Sequence, residues 1–173
     1  MLVFMMIILA DFLRPKLKQA GGLMTLTDVY CLYNRARGTN LISPEDLLDA
    51  VAVMKPLNLG MSERTFPNSG VKVLQDDAFD DTTMALQLAQ LAQDHMVMTM
   101  NNQPPQPSQP SSLTSQGGLT AMTVSRELHV SALLAQEQLI VAEKLGYLCR
   151  DETLETTRFF PNLFDEYLQQ LQQ

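Results

Sequence analysis

The chain has 173 residues, a hydrophobic fraction of 46% and a charged fraction of 18%, which exclude general disorder and allow one or two compact domains. Its net charge of −7, from 12 basic and 19 acidic residues, opposes a nucleic-acid partner, because such binding needs Lys and Arg against phosphate. The two cysteines, Cys31 and Cys149, lie far apart in the sequence, which favours a reducing, intracellular compartment over a disulfide framework. We expect both to be buried and inert.

The first ten residues, MLVFMMIILA, are apolar. A transmembrane helix needs about 20 such residues, and this stretch is interrupted at Asp11 and followed by basic residues from Arg14 to Lys18. A signal peptide carries positive charge before its apolar stretch, whereas here the charge follows it. The pattern therefore predicts an apolar N-terminal helix over residues 1–20 that packs on something else, which points either to a missing partner or to missing upstream sequence.

Two helices are predicted next. Thr25 is a capping residue, with Asp28 three positions later completing a capping box, and this helix ends at Gly38. Ser43 caps a second helix, because Pro44 suits the first helical position and the two acids that follow suit the positive end of a helix.

A hairpin follows these helices. Residues 64–66 and 71–74 predict two short strands around the turn residues 67–70. Helix, helix and hairpin in this order describe a winged helix, which we place at residues 21–76.

The second half of the chain predicts the same order of elements. Helices are expected over residues 80–95, 120–128 and 131–145, and strands over 147–150 and 158–160. We predict a second winged helix at 77–164 with a disordered low-complexity loop at 101–118, followed by a polar tail at 165–173. The fold class is then α+β and mostly helical, with two tandem winged-helix domains preceded by an N-terminal helix.

No catalytic motif is visible in the sequence. His95 and His129 lack the neighbours of a zinc or nucleophile motif, and phosphate-binding glycine patterns are absent. The acidic residues between positions 76 and 81 lie in a polar segment, where such side chains are ordinarily exposed to water and have no catalytic role. We predict no enzyme activity, no catalytic residue, no metal site and no cofactor.

Many winged helices bind DNA through the helix that precedes the wing. Here those helices, residues 43–55 and 131–145, carry more acids than bases. The basic pair Arg35 and Arg37 suits the negative end of its own helix. A nucleic-acid-binding protein of the transcription type is therefore the disfavoured alternative.

Protein binding is the remaining class of function. Aromatic residues are dense at the C-terminus, although only 6% of the chain is aromatic. They suit either a core or a pocket for a short proline-aromatic peptide, and the sequence leaves both roles open. The residues are Tyr147, Phe159, Phe160 and Phe164.

Two stretches resemble a known family. GGLMTLTDVYCLYNRARG with NLISPEDLLDA, residues 21–50, and SALLAQEQLIVAEKLGYLCRDETLETTRFFPNLF, residues 131–164, are similar to the subunits of ESCRT-II that carry a GLUE domain. The resemblance covers roughly residues 21–164 and departs at 101–118, where the family has a shorter connection.

The resemblance implies a non-catalytic scaffold in endosomal sorting of ubiquitinated cargo to multivesicular bodies. Nothing in this chain resembles the GLUE domain, so direct membrane binding is not expected of it. The implied partners are a sibling winged-helix subunit and one copy of a small subunit, which inserts a Pro-Pro-x-aromatic motif into an apolar pocket of the second winged helix. The implied location is cytoplasmic and peripheral on endosomal membranes.

The resemblance also implies partner-binding residues. An acid in the last wing of the family pairs with an arginine of the small subunit, and this position falls on Asp151, with Glu152 as the second choice. The apolar N-terminal helix is expected to pack against the sibling subunit. The full predicted set for partner binding is Asp151, Glu152, Arg150, Tyr147, Phe159, Phe160 and Phe164.

Overall fold

The computed structural model describes residues 2–101 and 117–164 and divides into two compact units. Unit 1 comprises Met1–Phe79 and Leu128–Glu137, and unit 2 comprises Asp80–Glu127 and Gln138–Gln173. Most of the predicted loop at 101–118, and the whole predicted tail at 165–173, lie outside the described residues.

Unit 1 is built on a three-stranded antiparallel sheet with the strand order β1-β3-β2. The strand β1 has three residues, and the sequence predicts no strand at this position before the Thr25 cap. It pairs with β3 in the register Leu23↔Gln75. The elements are α1 (Leu2–Gln19), β1 (Leu23–Thr25), α2 (Leu26–Arg37), α3 (Pro44–Ala52), β2 (Met61–Thr65) and β3 (Lys72–Asp76).

Thr25 and Ser43 are confirmed as helix caps, but the capping box predicted for Thr25 is wrong, because Asp28 accepts a hydrogen bond from the Thr25 hydroxyl and not from its backbone amide. The Asp28 amide donates to Thr25 Oγ1 at 3.0 Å, and α2 ends at Gly38. At the start of α3, the Asp46 amide donates to Ser43 Oγ, while the Ser43 amide donates to an Asp46 carboxylate oxygen. Hydrogen bonding from Ser43 lowers the pKa of Asp46. The Asp46 carboxylate of this capping box therefore stays ionised in mild acid.

Helix α1 is part of the core of unit 1. Leu13 and Leu17 are buried together with residues of α2 and α3. The Phe12 ring meets the Tyr33 ring edge-on at 5.7 Å, and Arg14 donates to the Leu59 carbonyl at 3.0 Å. We expected the apolar N-terminal helix to pack against another protein. Its buried face is covered within its own unit by residues of α2 and α3.

Unit 2 follows the same order of elements as unit 1. In place of β1 it has a single bridge, Leu119↔Phe159, to the last strand β5, just as β1 pairs with β3. This confirms the α+β fold class with two winged helices. The elements are α4 (Asp81–Asn101), α5 (Ala121–Leu128), α6 (Ala132–Lys144), β4 (Leu148–Glu152) and β5 (Thr157–Pro161), with α6 divided between the units after Glu137.

The buried stripe of α4 comes from its residue spacing. Ala85, Leu88 and Ala92 lie three and four residues apart and are fully buried. Leu148 and Phe159 of the hairpin are buried in the same unit. The helix also runs to Asn101, beyond the predicted end at residue 95.

None of the helices in the described part of the chain is long and apolar enough to cross a membrane.

Candidate functional site

The hairpin of β4 and β5 has one buried and one accessible face. Leu148 and Phe159 are 2% exposed and Pro161 is buried, so these side chains line the inner face. Because successive residues of a strand alternate between faces, Arg150 and Glu152 share the face of Leu148 and are exposed there, while the side chains at the alternate positions point the opposite way. The hairpin therefore has an outer face available to a partner.

The outer face consists of two cross-strand pairs, Cys149↔Phe160 and Asp151↔Arg158. All four residues are partly exposed. The pairs place an apolar patch, from the thiol and the aromatic ring, beside a charged patch from the carboxylate and the guanidinium. A partner would meet both patches on one strand pair.

Gly118 allows the ring of Phe160 to lie close to the neighbouring backbone. A Cβ atom at Gly118 would lie 2.7 Å from Phe160 Cζ and 3.0 Å from Arg158 Cβ. Any side chain at this position would push the ring or the arginine away. Sequence reasoning missed Gly118, because it placed the residue in the 101–118 loop and nothing in the pair Gly117-Gly118 distinguishes the second glycine.

The charges of the hairpin are not equivalent. Arg150 reaches Glu143 at 3.3 Å and Glu152 at 3.9 Å, so these three side chains neutralise one another in part. Asp151, by contrast, has no hydrogen bond or ion pair from its carboxylate to any residue in the ranges 2–101 and 117–164. The buried Arg158 Nε also lacks an acceptor there. Asp151 and the turn residue Glu155 are therefore the acids of this wing without a charged partner in the described ranges, and of these two Asp151 lies on the outer face.

The four aromatic residues separate into two groups. Phe159 is in the core, so its predicted part in partner binding is corrected to supporting the hairpin from below. Phe160 lies on the outer face and Tyr147 is partly exposed, while Phe164 is 69% exposed.

Asn162 connects the two ends of the hairpin, and sequence reasoning did not single it out. Its side-chain amide donates to the Gly146 carbonyl at 2.7 Å, and its backbone amide donates to the Tyr147 carbonyl at 3.0 Å. The Phe164 amide donates to Asn162 Oδ1 at 3.2 Å. One amide side chain thus fixes the backbone beside both exposed aromatic residues.

The turn of the hairpin is closed by two threonines. Thr153 donates from its hydroxyl to the Thr156 carbonyl at 2.9 Å, and the Thr156 amide donates back to Thr153 Oγ1 at 3.2 Å. Leu154 lies at the tip and is fully exposed. The closed turn holds the two strands in the register that places Asp151 opposite Arg158.

The expectation of two buried cysteines is wrong for Cys31, which is exposed on α2. Cys149 is partly exposed on the outer face, and burial, followed by the negative charge of Glu143, raises the pKa of its thiol. A raised pKa leaves less of the reactive thiolate at neutral pH.

We expect a maleimide at neutral pH to modify Cys31 at least about tenfold faster than Cys149, because thiolate content and access govern the rate. Intact mass spectrometry with peptide mapping measures the two rates. Raising the pH should accelerate Cys149 until its raised pKa is passed. Equal rates at neutral pH would contradict the described environments.

No three His, Cys, Asp or Glu side chains come together as metal ligands within the described ranges. His129, one of two histidines considered for catalysis, adopts a left-handed backbone conformation with a φ of 54° between α5 and α6. His129 therefore belongs to the connection between these two helices.

The comparisons with known proteins point to one family. The family model described as the EAP30/Vps36 family matches residues 5–152. The chain is 40% identical to vacuolar protein-sorting-associated protein 36 of Danio rerio and 39% identical to that of Homo sapiens, in each case over 90% of this chain and 35% of the relative. It therefore spans about a third of the length of these curated relatives.

Two solved structures are also similar. One is the ESCRT-II endosomal trafficking complex, with a TM-score of 0.49 and 18% identity over 82% of this chain and 75% of that chain. The other is the endosomal complex ESCRT-II (VPS22/VPS25/VPS36), with a TM-score of 0.39 and 13% identity over 95% of this chain and 65% of that chain.

Proposed function

This chain belongs to the EAP30/Vps36 family, and on that premise we propose that it is a non-catalytic assembly part of ESCRT-II in endosomal sorting of ubiquitinated cargo to multivesicular bodies. Two partners are proposed, a sibling winged-helix subunit and one copy of the small subunit. The chain would act at endosomal membranes through the complex, without binding the membrane itself.

The observation that carries the proposal is the outer face of the second hairpin. Phe160 and Cys149 offer an apolar surface beside the carboxylate of Asp151, which has no partner among residues 2–101 and 117–164. A Pro-Pro-x-aromatic motif needs an apolar surface, and an arginine near it needs an unpaired acid. Glu152 is less suited to this ion pair, because its carboxylate already contacts Arg150, which also pairs with Glu143.

A contact with the sibling subunit is proposed for the part of α1 that unit 1 leaves accessible. Ile7 and Ile8 are half exposed, while Leu13 on the same helix is buried in the core. Apolar side chains that remain in water at one end of a buried helix are suited to a second protein.

The proposal is tested by native mass spectrometry of this chain co-expressed with the sibling and small subunits of ESCRT-II. We expect a stable assembly that holds one copy of this chain, because winged helices that form a scaffold associate stoichiometrically. A monomer that binds neither partner would contradict the proposal.

The same sample also tests the transcription-type alternative. The exposed acids of α3, which are Glu45, Asp46 and Asp49, oppose contact with DNA phosphates. Salt-sensitive binding of the chain to duplex DNA, together with failure to join the complex, would favour that alternative.

A further inference from the structure

Gly118 lies beside β5 on the side remote from β4. The backbones of Leu119 and Phe159 exchange two hydrogen bonds of 2.8 Å, which align the residues on either side of this bridge. In this antiparallel alignment Gly118 stands next to Phe160, and Leu119 faces inward, so position 118 belongs to the outer face. The outer face of the hairpin therefore continues onto a third backbone segment, where position 118 has no side chain.

Space, and not backbone conformation, explains the glycine at this position. The φ of Gly118 lies outside the left-handed region, whereas the φ of its neighbour Gly117 is 86°. An alanine could therefore adopt the backbone conformation of residue 118. Its Cβ atom has no room, because it would lie 2.7 Å from Phe160 Cζ and 3.0 Å from Arg158 Cβ. The first distance is well inside van der Waals contact, so a Cβ atom would displace the ring.

The Phe160 ring is the part of this contact that can move. Phe160 is partly exposed, and Cζ is the far end of its side chain. A ring pushed away from position 118 moves toward β4, where Cys149 is the residue opposite Phe160. It would then cover the apolar surface beside Asp151. The bare backbone at Gly118 thus lets the ring lie away from β4 and leaves this surface open.

We propose that Gly118 is a positioning residue for partner binding, an inference that rests on the proposed function. It holds the Phe160 ring where the ring and the Asp151 carboxylate can contact the small subunit at the same time. The proline-aromatic segment packs on the ring while the arginine reaches the carboxylate, and both contacts require a fixed spacing on the outer face. A preplaced ring also avoids the loss of affinity that comes from ordering a side chain on binding.

The test is a double-mutant cycle measured by isothermal titration calorimetry with the purified small subunit. Gly118→Ala is expected to weaken binding by about tenfold or more, because the ring must return against the new methyl group. In the Phe160→Leu background the same change should alter Kd by less than about threefold, since leucine lacks the ring atoms that meet position 118. Tyr147→Leu is the matched control background, because it leaves the Phe160 ring in place, and there Gly118→Ala should again weaken binding by about tenfold.

A second measurement needs no partner. The ring pushed toward β4 should shield the Cys149 thiol, so Gly118→Ala is expected to slow its maleimide modification by about threefold or more. The rate in Gly118→Ala/Phe160→Leu should equal the rate in Phe160→Leu alone. Cys31 on α2 gives a reference rate within the same sample. An unchanged Cys149 rate in Gly118→Ala would contradict the displacement of the ring.

The outcomes separate this inference from the proposed function. Wild-type affinity in Gly118→Ala, together with weaker binding in Phe160→Leu, would overturn the role of Gly118 and leave the proposed function intact. Equal losses in the wild-type and Phe160→Leu backgrounds, with a lowered thermal midpoint, would also overturn it by showing that Gly118 serves the fold. Failure of the wild-type chain to bind the small subunit would overturn the proposed function itself.

Discussion

A Leu13→Ala variant is expected to lose about 2–5 kcal/mol of unfolding free energy, the range for truncating a buried leucine. Leu13 is 1% exposed on α1 and lies in the core of unit 1 with Val29 and Tyr33 of α2. Truncating its side chain to a methyl group leaves a cavity that these neighbours fill only in part. Urea denaturation followed by circular dichroism measures the loss on the isolated chain.

Ile8→Ala is the matched control, because Ile8 is on the same helix but 46% exposed. Its cost should stay within about 0.5–1 kcal/mol, the usual range for sites outside the core. If α1 served only as a surface for a second protein, Leu13→Ala would be as mild as Ile8→Ala in the isolated chain and would act only on assembly. A similar loss for both variants would contradict the packing of α1.

Asp151→Lys is expected to weaken binding of the small subunit by about 100-fold or more, a result that rests on the proposed function. The carboxylate of Asp151 has no ion pair to any residue of the described chain and stands opposite Arg158. A lysine there would present a cation to the partner's arginine and add to the positive charge of Arg158. Isothermal titration calorimetry with the purified small subunit gives the change in Kd.

Glu155→Lys controls for net charge, since Glu155 is exposed in the turn of the same hairpin. Its effect on Kd should remain within about threefold, as expected for a screened surface charge. Glu152→Lys tests the second choice for the ion pair, and a larger effect there than at Asp151 would move the assignment. The thermal midpoints of all three variants should stay near wild type, which separates lost binding from lost folding.

The local features of the fold were predictable because they depend on neighbouring residues. Thr25 and Ser43 can accept a hydrogen bond from the third residue after each, so both caps follow from a few adjacent letters. The turn residues 67–70 between two short strands identified the first hairpin in the same way. The order of helices and hairpins followed from these signals, and so did the fold class.

Features that depend on distant residues were decided by the tertiary structure. Strand β1 and Leu119 are too short to be recognised alone and become extended through pairing with β3 and β5. Gly118 matters because Phe160 lies over it, a contact across more than forty positions of the sequence.

By itself, the sequence determined the helices, their caps and the two hairpins. Only the tertiary structure decided what covers each apolar face: Leu13 is covered by its own unit, while Leu48 and Phe160 remain accessible. The physical reason is that periodicity reports which side of an element is apolar, whereas burial depends on which distant elements pack against that side.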